Sequence, residues 1–290
     1  MSNKKISLIL CYARSGGTLL NRHLVKSDNL VVLSEAHPIH HKKGGVHSLK
    51  EQLNRWYGIK IESNNYLDCI IEAKTWCDEN DKHLVIRDWS YIDFSKSYLN
   101  DNKPIGESAN IQLLESAGLE YNKISFVRDG IDVYLSQNKS IEEFSKEYLG
   151  FVKYLKNLNC KIFKYEVFVE NMDNELASIF NELDIGSFNF LKNDNTLLTK
   201  NVVGDTSISR GNGADKPIAL KRRFSSMRKK LKINSNKSLI ESNFILSYSV
   251  NYSSRESEIF YDYFKFWIIL NYNKTKKRVF YIFKKILNIV

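Results

Sequence analysis

A chain of 290 residues with 43% hydrophobic content can bury a substantial core, which excludes a disordered chain and fits one large domain, or one domain with an extension. The formal charge of +10 belongs to the C-terminal quarter: residues 217–290 hold 16 Lys and Arg against 4 Asp and Glu, which leaves 27 against 29 for residues 1–216. Nucleic acid, an anionic membrane face or a polyanionic substrate would each suit such a basic end. The four cysteines, Cys11, Cys69, Cys77 and Cys160, lack the close pairs of a zinc site or a CxxC motif and are expected as reduced thiols.

The apolar run Ile6–Cys11 has the length and character of a buried strand in a parallel sheet. It breaks into Ala13, Arg14, Ser15, Gly16, Gly17 and Thr18, after which Leu19, Leu20, Leu24 and Val25 recur at helical spacing. Strand, small-residue turn and helix together make an anion cradle: glycines admit the backbone close to a phosphate, and the helix start offers free N–H groups and positive potential. Arg14 and Thr18 would add charge and a hydroxyl. Lys4 and Lys5 ahead of an apolar run invite a secretory reading, but that run leads into Arg14 without a small-residue cleavage site. No stretch approaches the roughly 18 apolar residues that span a membrane, so a soluble, cytoplasmic body is expected.

A second strand over residues 30–33 delivers Ser34, Glu35, Ala36, His37 and Pro38 to its C-terminal end, where open α/β sheets place ligands. His40, His41, Lys42, Lys43, Gly44 and Gly45 read as a solvated substrate loop; the four histidines here have no regular ligand pattern, so no metal is expected. A third strand, residues 83–86, ends in Arg87 and Asp88, and residues 92–110 look irregular. A fourth, residues 123–127, turns at Arg128 directly into a helix that carries Ser136. An amphipathic helix over 140–158, a fifth strand over 160–165 and a helix over 174–183 follow. Five strands alternating with helices predict a parallel sheet covered by helices. Residues 196–224, with Arg210, are polar and glycine-rich like a functional loop. In residues 273–290, Val279, Ile282, Phe283, Ile286 and Val290 share a helix face with lysines largely elsewhere, a pattern that suits an anionic membrane surface or the body of the domain.

The two strand-exit blocks together resemble the sulfotransferase family that uses 3′-phosphoadenosine 5′-phosphosulfate, PAPS. Arg14-Ser15-Gly16-Gly17-Thr18 is similar to the family's 5′-phosphosulfate loop. Arg128 with Ser136 eight positions on is similar to its 3′-phosphate motif, and Tyr165-Glu166 to the segment after its next core strand. The resemblance covers roughly residues 5–225. It implies a P-loop-like α/β fold with a central, mainly parallel five-stranded sheet over residues 1–225, while the basic, aromatic-rich composition of residues 226–290 is read as a helical C-terminal extension. It also implies sulfuryl transfer to a hydroxyl or amine. Arg14 would meet the bridging and sulfuryl oxygens, the amides of Ser15 to Thr18 the 5′-phosphate, Arg128 and Ser136 the 3′-phosphate, and Arg210 would help close the site.

Sulfuryl transfer moves negative charge toward the departing nucleotide, so a fixed guanidinium and oriented amides there favour the transition state. The acceptor hydroxyl has to lose a proton to a positioned base. Glu35 is the first candidate, Asp88 the second with Arg87 beside it as a sulfuryl contact, and His37 the third. Arg14, where many relatives carry lysine, suits the branch acting on glycans, tyrosine and diverse small acceptors, and the Arg-Lys-Gly signature of the cytosolic aryl-type branch is missing. A Walker A motif would need Gly-Lys-Ser/Thr, which disfavours a nucleotide kinase, the competing enzyme class. A noncatalytic peripheral-membrane protein using its basic end is the competing reading from another class. Nucleic acid is not expected, because no reader motif accompanies the charge.

Overall fold

The computed structural model describes residues 4–95, 105–186 and 225–249. Five strands, β1 (Ile6–Cys11), β2 (Leu30–Ala36), β3 (His83–Asp88), β4 (Tyr121–Val127) and β5 (Lys161–Lys164), form one sheet in the order β2-β3-β1-β4-β5. Every neighbouring pair is parallel, with Ile9 opposite Arg87 on one side of β1 and Cys11 opposite Phe126 on the other. This is the expected P-loop-like α/β architecture. A parallel sheet is covered on both faces, which is why β1 reads as an unbroken apolar run, all of it buried.

One face packs Ile9, Cys11, Val85 and Phe126 against α1 (Gly17–Leu24), α9 (Tyr165–Glu170) and α10 (Met172–Leu183). The opposite face packs Leu8, Leu10 and Ile86 against α4 (Tyr66–Glu79), α6 (Ala109–Ser116), α7 (Gly130–Leu135) and α8 (Ile141–Leu158). Helix starts follow their caps: Asn65 accepts from Leu67 and Asp68 N–H, and Ser140 from Glu143 N–H.

Three features depart from the sequence reading. β2 continues past residue 33 through a bulge to Ala36, so Glu35 belongs to the strand. The expected solvated loop near residue 40 is instead α2 (Pro38–His41), a turn over Gly45–His47 and α3 (Leu49–Gln52), with His40 and His41 buried. Finally, α11 (Met227–Ser235) and α12 (Lys237–Ile245) are not peripheral, because Ile233, Leu239 and Leu246 join the core formed with α7 and α8. Residues 225–249 thus continue the domain past 225. Arg210, the loop over 196–224 and the helix over 273–290 lie outside the described residues. Among the described residues, no helix is long and apolar enough to cross a membrane.

Candidate active site

The chain leaves β1 toward β2 on one side of the sheet and leaves β4 toward β5 on the other. The C-terminal ends of β1 and β4 therefore flank the topological switch point, the crevice where open parallel sheets bind ligands. The loops that follow them are residues 12–16 and the turn at Arg128, the two blocks singled out in the sequence.

In the first loop, Ser15 N–H donates to Tyr12 O at 3.2 Å, and Leu19 N–H to Gly16 O at 2.9 Å as α1 begins. Arg14 is exposed and takes φ 73°, a left-handed conformation that disfavours side chains, while Gly16 takes φ 90°. A Cβ on Gly16 would stand 2.3 Å from Tyr165 Cδ2, and one on Gly17 would stand 2.6 Å from Arg87 Nη1 and 2.7 Å from Cys11 Sγ. Only glycines let Tyr165 and Arg87 close on the loop from either side. The Ser15 hydroxyl is buried with no partner among the described residues.

Arg87 leaves β3 on the α1 side of the sheet. Its Nη2 donates to Ser34 Oγ at 2.6 Å and lies 3.5 Å from Glu35 Oε1, and its buried Nε has no partner among the described residues. Glu35 sits on the β2 bulge at φ 48°, a strained conformation, and is partly exposed with its carboxylate beside the Arg87 guanidinium. Burial pushes the Cys11 thiol up to about 11 despite the Arg87 charge, which keeps it protonated and unsuited as a nucleophile.

Arg128 stacks its guanidinium 4.8 Å from the centre of the Tyr165 ring, the ring that lies against Gly16. Its buried Nε has no partner among the described residues. The Ser136 hydroxyl donates to Val133 O at 2.7 Å, and Gln137 Nε2 donates to Ala13 O at 3.4 Å, tying the end of α7 to the first loop. Arg14, Ser15, Gly16, Gly17, Glu35, Arg87 and Arg128 thus belong to one crevice. Tyr165, the spacer between its two halves, and Ser34, which orients Arg87, carry geometry that their sequence positions alone did not assign.

Asp88 and His37 are placed differently. Asp88 points to the face opposite Arg87 and is wholly buried, its oxygens accepting from Ser90 Oγ, Ser108 Oγ and Asn110 Nδ2 at 3.0, 2.9 and 2.8 Å. Burial and the nearby Asp93 carboxylate raise its pKa. His37 Nδ1 accepts from Ile39 N–H at 3.1 Å, so the Nε2 proton is directed at Asp93 Oδ1, 3.0 Å away. Both ring nitrogens are engaged and the ring is buried, so the structure brings neither candidate base to the cradle; Glu35 alone of the three stands there. His41 is also committed, accepting from Leu49 N–H and donating to Asn64 O. His40, pushed down to about 3 by burial, lies tilted against Trp89 and His47. Among the described residues, no group of three His, Cys, Asp or Glu is arranged to hold a metal ion.

No family model matches the chain, and no curated protein matches it in sequence. A solved sulfotransferase domain from the curacin biosynthetic pathway resembles it with 14% identity, over 85% of this chain and 98% of that one, at a TM-score of 0.46. So distant a likeness transfers no residue's role. The crevice offers glycines where a Cβ would fill the cradle, and buried donors on Ser15, Arg87 and Arg128 that have no partner among the described residues.

Proposed function

We propose that the chain is a sulfotransferase that takes PAPS as donor and sulfates a hydroxyl or amine, with a carbohydrate or glycolipid as the acceptor class. The observation that carries this reading is the set of buried donors without a partner among the described residues, Ser15 Oγ, Arg87 Nε and Arg128 Nε, on both sides of one switch-point crevice. Such donors cost roughly 1–3 kcal/mol each when left unsatisfied, a cost that an anionic ligand would remove.

Bound PAPS would supply a sulfuryl group already activated by its phosphate leaving group. Ser15, the Gly16–Gly17 backbone and Thr18 would hold the 5′-phosphate at the start of α1. Arg128, braced on Tyr165, would hold the 3′-phosphate, with Ser136 turning its hydroxyl from Val133 O toward it. Arg14 and Arg87 would face the oxygens on which negative charge grows, and a guanidinium already fixed by Ser34 needs little reorganisation to stabilise it. Glu35 would accept the acceptor's proton on a carboxylate oxygen. The basic residues toward the C-terminus would keep the enzyme near an anionic, cytoplasmic membrane face.

Isothermal titration tests the donor half. Arg14→Ala and Arg128→Ala should each weaken PAPS binding at least about tenfold, the loss expected for one charge-assisted contact. Unchanged PAPS affinity in both variants would overturn the assignment.

A further inference from the structure

The turn that presents Arg128 is held from outside by side chains of three helices. Tyr148 OH donates to Arg128 O at 2.7 Å, Asp129 N–H donates to Glu166 Oε1 at 3.2 Å, and Gly130 N–H donates to Asn243 Oδ1 at 2.9 Å. Asn243 is buried on α12, 113 residues further along the chain. Its Nδ2 donates to Asp129 Oδ1 at 3.1 Å and to Ser249 O at 2.8 Å. Asp129 Oδ1 also accepts from Ile131 N–H at 2.8 Å and so caps α7. One amide therefore engages an N–H and a carboxylate on the same turn, a task that needs a donor and an acceptor side by side. A Cβ on Gly130 would stand 2.7 Å from Asn243 Oδ1, so glycine at 130 is what admits the amide. The same C-terminal segment reaches the turn a second way: Tyr248 OH donates at 2.6 Å to Glu166 Oε2, the carboxylate that receives Asp129 N–H.

We propose that Asn243 is a positioning residue for recognition of the donor's 3′-phosphate, acting by fixing the backbone from which Arg128 projects. This rests on the PAPS reading and extends it to a residue more than a hundred positions beyond the turn it braces. Rigid presentation of Arg128 matters because a guanidinium displaced by about 1 Å loses most of its directional bonding to a phosphate.

The test compares affinities for adenosine 3′,5′-bisphosphate and adenosine 5′-monophosphate by titration calorimetry, in the full chain and in Asn243→Ala, with Leu246→Ala as a packing control on the same segment. The expected result is a wild-type preference for the bisphosphate that falls about tenfold in Asn243→Ala while monophosphate affinity stays within about twofold. Leu246→Ala should lower the melting temperature and leave the preference intact. Exchanging the two partners, Asp129→Asn with Asn243→Asp, keeps acceptors for Gly130 and Ile131 N–H and should restore part of the preference. A wild-type protein with no preference would sink the donor reading itself. A wild-type preference that survives in Asn243→Ala would overturn the role of Asn243 and leave the donor reading standing.

Discussion

Replacing Gly16 with alanine is expected to disable both halves of the crevice at once. The new methyl would stand 2.3 Å from Tyr165 Cδ2 and 2.7 Å from Cε2, on a backbone at φ 90° that side chains rarely adopt. Left-handed strain costs about 1–2 kcal/mol, and overpacking a rigid ring adds about 1–3 kcal/mol. Tyr165 is buried and cannot swing freely into solvent, so its ring must shift, and with it the Arg128 guanidinium stacked 4.8 Å from the ring centre. A substitution in the first loop should therefore be felt at the site assigned to the 3′-phosphate. Donor affinity should fall about a hundredfold, the cost typical of a misplacement near 1 Å, and the melting temperature should drop. Calorimetric titration beside a thermal melt checks both, and full donor affinity in a folded Gly16→Ala protein would show that Tyr165 does not couple the two halves.

Glu35→Gln should remove turnover and spare binding. The amide preserves the shape of the side chain and an oxygen for Arg87 Nη2, now 3.5 Å from Glu35 Oε1, so the donor side stays assembled. What is lost is a group able to take a proton from the acceptor, a contribution of about 10²- to 10⁴-fold for a positioned base. The readout is acceptor-dependent release of adenosine 3′,5′-bisphosphate, set against donor affinity measured on the same protein. A rate within tenfold of wild type would remove Glu35 from the chemistry and leave it as a brace for Arg87.

What was legible in the sequence was local. The apolar run of β1, the glycines after it and the helical spacing of Leu19, Leu20 and Leu24 lie within one short stretch, so strand, cradle and helix could be read directly. The same holds for Arg128 at the exit of β4. What escaped depends on contacts far apart in the chain. The β2 bulge that lifts Glu35 into a left-handed conformation carries no glycine to announce it. Asp88 looks like an active-site carboxylate from its strand-exit position, yet strand alternation sends it to the face opposite Arg87, where Ser108 and Asn110, some 20 residues on, consume its lone pairs. The histidines near residue 40 suggested a solvated loop because their partners, Asn64 and Trp89, are distant. In residues 225–249 the density of lysine hid three core residues, Ile233, Leu239 and Leu246, and an asparagine whose partners on the Arg128 turn lie more than a hundred residues earlier.

The central claim is that the switch-point crevice binds a nucleotide with a 3′-phosphate, and ligand-induced melting shifts of the wild-type chain test it most directly. PAPS and adenosine 3′,5′-bisphosphate should raise the melting temperature saturably, and ATP should raise it far less. A large shift with ATP and none with either 3′-phosphorylated nucleotide would contradict the account.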